Sequence, residues 1–122
     1  MKKYQSRAGF TLVEIMIVVA IIGLLAAIAI PNFLKARTSS QSSACLSNLR
    51  IIDSAKQQWA MDSKKVSTDT PSPTQLMAYI GHGTATALPA CPAGGAYTIG
   101  TVATAPTCSK NDGTNHIAVL AN

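Results

Sequence analysis

A single glutamate, Glu14, sits inside the apolar run FTLVEIMIVVAIIGLLAAIAI, and the basic stretch MKKYQSRAG stands directly before that run. A charge at the centre of a membrane helix costs on the order of 2.5–3.5 kcal/mol by insertion scales, and less toward an end. Such residues usually face a partner and mark a function. No Lys or Arg follows Glu14 within two turns, so an i,i+4 ion pair is unavailable in its own chain. The nearest upstream cation is Arg7. A cut between Gly9 and Phe10 would create another, the α-amino group of Phe10. That amine would lie four residues from Glu14 and could also meet the Glu14 of a neighbouring subunit. Gly9 suits a scissile position, because a residue without Cβ lets an active site approach the backbone closely.

The remaining reactive side chains are sparse. Cys45, Cys91 and Cys108 lack the paired CxxC spacing of a zinc site, and the two histidines, His82 and His116, add no ligand pattern. GGAYTIG has neither the lysine nor the glycine spacing of a phosphate loop. No catalytic constellation emerges, and the chain is expected to be neither an enzyme nor the carrier of a cofactor or metal. Asn111, Asp112 and Asn115 are oxygen donors, but a hard-cation site needs more of them, so an Asx-type turn is the expectation.

The elements that must position these groups begin with the apolar run. Phe10 to Ile30 is 21 residues with one charge and one hydroxyl; as a helix it would extend roughly 31 Å, about the thickness of a bilayer core. The basic residues before it place that end in the cytoplasm and the downstream chain on the other side of the membrane. A secretory signal peptide has a shorter apolar region, about 7–15 residues, and a small-x-small cleavage site. A plain anchor explains the length but not Glu14. A buried core helix would need more covering residues than remain. The net charge of +5 belongs largely to the leader: without residues 1–9, seven basic residues face five acidic ones, a net +2. This does not describe a nucleic-acid surface, which needs Lys and Arg clustered on the folded body.

The string GFTLVEIMIVVAIIGLLAAIAIPNF, with its short basic leader, resembles the N-terminal segment of type IV prepilins and of type II secretion pseudopilins. The resemblance implies that a membrane-embedded prepilin peptidase cuts between Gly9 and Phe10 and N-methylates Phe10. It further implies that Glu14 neutralises the Phe10 amine of an adjacent subunit during assembly, and that Pro31 kinks a helix that continues beyond it. The implied fold is α+β and pilin-like. A long N-terminal helix spans the membrane with its first half and packs its second half against a short helix and a small antiparallel sheet.

The expected organisation is a cleaved leader at 1–9, a membrane and filament-core helix at 10–31, an amphipathic continuation at 32–65 and a small periplasmic region at 66–122. In the continuation, Leu46, Leu49, Ile52, Ala55 and Trp59 recur every three or four residues and form an apolar stripe, with Trp59 in the core. TSSQSS at 38–43 reads either as a hinge or as a solvated helix face. Gly23 and Ala27 form a weak small-xxx-small pair. Ser72, Pro73 and Gln75 give N-cap, N1 and N3 of a short helix ending at Gly81. AYTIGTV, APTCS and HIAVL read as three strands, with Asn111-Asp112-Gly113 as a turn. So small a region is marginal without a disulfide, metal or partner. A Cys91–Cys108 disulfide would enclose 16 residues, worth roughly 3 kcal/mol in the chain-entropy model. Cys45 is then a buried thiol, and Cys45–Cys91 is the second pairing.

These readings converge on a structural subunit of a type II secretion pseudopilus or related type IV pilus-like filament. Its expected partners are copies of itself, other pseudopilins, the peptidase, an inner-membrane assembly platform and lipid, without nucleic acid. It would wait in the inner membrane and then enter a filament in the periplasm or at the cell surface. The alternatives are a fimbrial or competence pilin and, in another class, a membrane-anchored periplasmic binding module that never polymerises.

Overall fold

The computed structural model describes residues 9–110 and Leu120, apart from the side chain of His82. One helix, α1 (Leu12–Asp62), dominates it and continues without a break through Pro31 and through TSSQSS. Helical structure therefore persists where a hinge was one of two readings. The chain divides at Lys35 into two compact units.

In the first unit, Leu, Met and Ala supply good helix formers, and apolar residues occupy every face. Phe10, Leu12, Ile15, Val18, Ile22, Leu25, Ile28 and Leu34 are all exposed. The stretch is long and apolar enough to cross a membrane, and none of its most hydrophobic window is buried within the chain. Such a helix is stable only in lipid or against other apolar helices.

The second unit is built on the other half of α1. Cys45, Leu49, Ile52, Ala55, Trp59 and Ala60 are buried along one face. The helix stops at Asp62 rather than at 65, through a Schellman ending. Lys65 N–H donates to Ala60 O (2.9 Å), Lys64 N–H donates to Met61 O (3.4 Å), and Lys64 takes φ 50°. The Lys65 ammonium then rests 5.9 Å from the centroid of the Trp59 ring.

Helix α2 (Pro73–Met77) starts as its sequence requires. Ser72 and Gln75 form a capping box, and Pro73 stands in the first turn. It is shorter than the expected run to Gly81. A turn follows, then a single 3-10 turn at Gly81–Gly83, because two positive-φ glycines there break the α pattern. Leu76 and Ile80 close over Ile52, Ala55, Trp59 and Ala60, with Tyr79, Leu88, Tyr97, Ile99 and Val102 packed around them.

The sheet is smaller than expected. β1 (Tyr97–Thr98) and β2 (Thr107–Cys108) pair antiparallel, Tyr97 opposite Cys108 and Thr98 opposite Thr107. Positive φ at Gly100 and the Thr101–Thr104 turn pull the rest of AYTIGTV out of the ladder. The third expected strand and the Asn111-Asp112-Gly113 turn lie outside the described residues, except for Leu120, which is not in a strand. The fold is α+β: a long N-terminal helix, a short helix and a two-stranded antiparallel sheet.

Candidate functional site

Two places carry chemistry, one in each unit. At the head of α1, Thr11 is the N-cap and Glu14 the third helical residue. Thr11 N–H and Thr11 Oγ1 both donate to Glu14 Oε2 at 2.7 Å, and Glu14 N–H donates back to Thr11 Oγ1 at 3.2 Å. This is a reciprocal capping box that ties the carboxylate to the helix start. Glu14 thus has a local role that the sequence reading did not assign, although its T-x-x-E signature is present. Among the described residues Oε1 of Glu14 accepts no hydrogen bond. Gly9 is exposed, and a Cβ built on it would meet nothing within 4 Å. The fold of this chain therefore sets no demand for glycine there. Phe10 is 87% exposed. Pro31 lies inside the helix.

The second place is a knot of thiols. Cys45 from α1, Cys91 from the loop after the 3-10 turn and Cys108 from β2 are buried and joined by no disulfide, with their Sγ atoms all within 4.8 Å of one another. Cys91 and Cys108 are brought together, and Cys45, read from sequence as a separate thiol, joins them. The helix places Cys45 one turn before Leu49 on the buried face. Asn48, beside it, donates to Ala90 O (3.0 Å) and to the Tyr97 hydroxyl (3.1 Å), holding the loop and β1 to the helix. Cys108 packs so closely on the loop that a Cβ at Gly95 would stand 2.6 Å from its Sγ.

The environments of the thiols differ. Burial pushes the Cys45 thiol up to about 12. At Cys91 burial is the largest single influence and acts upward, but hydrogen bonds from the Gly95 and Ala93 backbones, with the two neighbouring thiols, outweigh it and bring the group below its ordinary value. Burial and contact with Cys45 raise the Tyr97 hydroxyl.

One further polar contact escaped the sequence. Lys56 is fully buried on α1 and donates to Thr104 O, to Ile99 O (3.4 Å) and to Asp53 (3.2 Å). Gln57 reaches Val102 O at 3.1 Å. An open cleft of about 280 Å³ beside them is lined by Arg50, Asp53, Gln57 and the 102–105 loop. Asp53 there is already paired with Lys56. His116 and the weighed calcium ligands Asn111, Asp112 and Asn115 lie outside the described residues.

Comparison with known proteins bears on the first place. A family model described as the prokaryotic N-terminal methylation motif matches residues 4–30, spanning the Gly9–Phe10 bond, Glu14 and most of the apolar run. The type IV major pilin protein PilA of Myxococcus xanthus is 49% identical over 59 residues, 48% of this chain and 27% of that protein. A fimbrial protein of Pseudomonas aeruginosa is 42% identical over 72 residues, 58% of this chain and 47% of its own length. Type II secretion system core protein G of Klebsiella michiganensis is 33% identical over 64 residues, 52% of this chain and 45% of that protein. The chain spans less than half the length of each of these relatives. No solved structure matches it. The chain carries the prepilin-type N-terminal methylation motif, and over about half of its length it is similar to type IV pilins, fimbrial proteins and type II secretion protein G.

Proposed function

We propose that the chain is a structural subunit of a type II secretion pseudopilus or a related type IV pilus-like filament. The observation that carries this is the first half of α1, which exposes apolar residues on every face and bears one carboxylate, held at the helix start by Thr11. A prepilin peptidase cuts between Gly9 and Phe10 and methylates the new amine. The subunit then rests in the inner membrane with its N-terminus cytoplasmic. Assembly exchanges lipid around the helix for the helices of other subunits, while Pro31 eases bending.

In this account Glu14 has two successive duties. In the bilayer the Thr11 donors satisfy Oε2, which lowers the cost of carrying a charge in hydrocarbon. In the filament the other oxygen, Oε1, receives the Phe10 amine of a neighbour. A buried pair is strongly destabilised when one partner is missing. A subunit docked out of register or still carrying its leader is therefore rejected, so maturation licenses assembly. The names of the relatives support both pilus and secretion pseudopilus, and the genes beside this one would separate them. The proposal is tested by replacing Glu14 with Ala and with Leu and scoring leader cleavage and pelletable filaments separately. Retained cleavage with lost filaments is expected, whereas a non-polymerising anchor would keep its membrane location and never pellet in either form.

A further inference from the structure

Three buried thiols converging from three separate elements is one more than a disulfide uses. Any disulfide among them would leave the third thiol sealed beside it. Each of the three is instead held in place by its own means. Cys45 is fixed by the helix, and Cys91 by hydrogen bonds from the Gly95 and Ala93 backbones. Cys108 is fixed by its β1 partner Tyr97 and by the bare Cα of Gly95. The Asn48 amide ties Tyr97 and the residue preceding Cys91 to the helix that carries Cys45.

We propose that Cys45, Cys91 and Cys108 form a three-thiolate site for one thiophilic d10 cation, Zn²⁺ or Cu⁺. Metal–sulfur bonds of about 2.3 Å hold sulfurs about 3.8–4.0 Å apart, so thiols already within 4.8 Å need only a small contraction. Three thiolates complete a trigonal Cu⁺ shell or supply three of the four ligands of Zn²⁺. Each thiol that binds gives its proton to solvent, so loading releases three protons and involves no change of oxidation state. The metal pins the loop and β2 to α1 and supplies cross-linking that a core this small lacks. The site lies wholly in the second unit and does not depend on the filament role.

The test uses the full chain, purified anaerobically in detergent and offered Zn²⁺ and Cu⁺ in turn against competing chelators. One equivalent of either metal is expected, with a shell of three sulfurs at about 2.3 Å by X-ray absorption and unchanged intact mass after the metal is stripped. Which ion wins the competition decides between the two. Cys45→Ser is expected to weaken binding at least about a hundredfold, since even outer-shell changes cost 10–100-fold. Should that variant not fold, the absorption shell of the unmodified chain still decides. An intact mass short by two hydrogens, marking a disulfide, overturns the site. So do three reduced thiols that bind neither ion, or binding that survives Cys45→Ser.

Discussion

Thr11 and Glu14 cap the long helix reciprocally: the carboxylate takes the Thr11 N–H and hydroxyl at 2.7 Å each, and the threonine oxygen takes the Glu14 N–H at 3.2 Å. Glu14 is therefore both the residue that starts the helix and the residue whose charge needs explaining. The two roles can be separated, because a glutamine at the same position still completes a capping box while carrying no charge.

Thr11 tests the contacts that hold the Glu14 carboxylate at the helix start. Thr11→Ser keeps the hydroxyl and should leave helix formation and filament yield unchanged. Thr11→Ala removes a cap worth about 1 kcal/mol, and the filament yield should fall by a factor of about 5 while leader cleavage continues. Quantitative immunoblots of cleaved and pelleted protein would measure both.

Lys56 should be among the most sensitive positions of the second unit. Lys56→Ala strips the Thr104 and Ile99 carbonyls of their donor and leaves Asp53 unpaired. The expected loss is about 2–4 kcal/mol. Lys56→Met retains the aliphatic stem and should lose less. Urea unfolding of the full chain in detergent, followed by the fluorescence of its one tryptophan, the buried Trp59, would report both.

Lys64 offers a gain. It holds φ 50° at the left-handed position of the helix ending, where glycine has no steric penalty. Lys64→Gly should stabilise the second unit by about 0.5–1 kcal/mol, and Lys64→Val should destabilise it, since β-branching is least tolerated there. The same unfolding measurement ranks the three.

Gly95 is required for space. A Cβ there would stand 2.6 Å from Cys108 Sγ and 3.0 Å from Lys110 Cγ, so Gly95→Ala must displace the thiol or the loop, at about 1–3 kcal/mol. Gly94→Ala should also be costly for a different reason: nothing lies within 4 Å of its added Cβ, but its φ is 77°. Thiol-labelling rates would tell them apart, rising at Cys108 in the first variant before global unfolding.

The N-terminal half was legible because its determinants are local. Apolar length, Glu14, Gly9-Phe10 and the T-x-x-E capping signature all lie within one short stretch. The buried stripe of α1 and the Ser72 capping box were likewise readable from spacing. Lys56 was not, because its burial is set by carbonyls 43 and 48 residues away, which no periodicity announces. Cys45 falls in register with the stripe, so its inward direction could be read. Its meeting with Cys91 and Cys108 depends on the path of an irregular loop held by Asn48 and Gly95. The strands shrank for the same reason: turn chemistry at Gly100 and Thr101–Thr104 prevails over β propensity in Ile99 and Val102.

Glu14→Gln separates the charge of Glu14 from its helix cap. The variant keeps the helix cap and the length of the side chain and removes only the charge that would meet the neighbouring Phe10 amine. Pelletable filament should fall at least about tenfold, since an unpaired buried charge costs about 3–5 kcal/mol, while leader cleavage proceeds as in the unmodified protein. Filaments at the unmodified level would contradict the pairing and leave Glu14 as a helix cap alone.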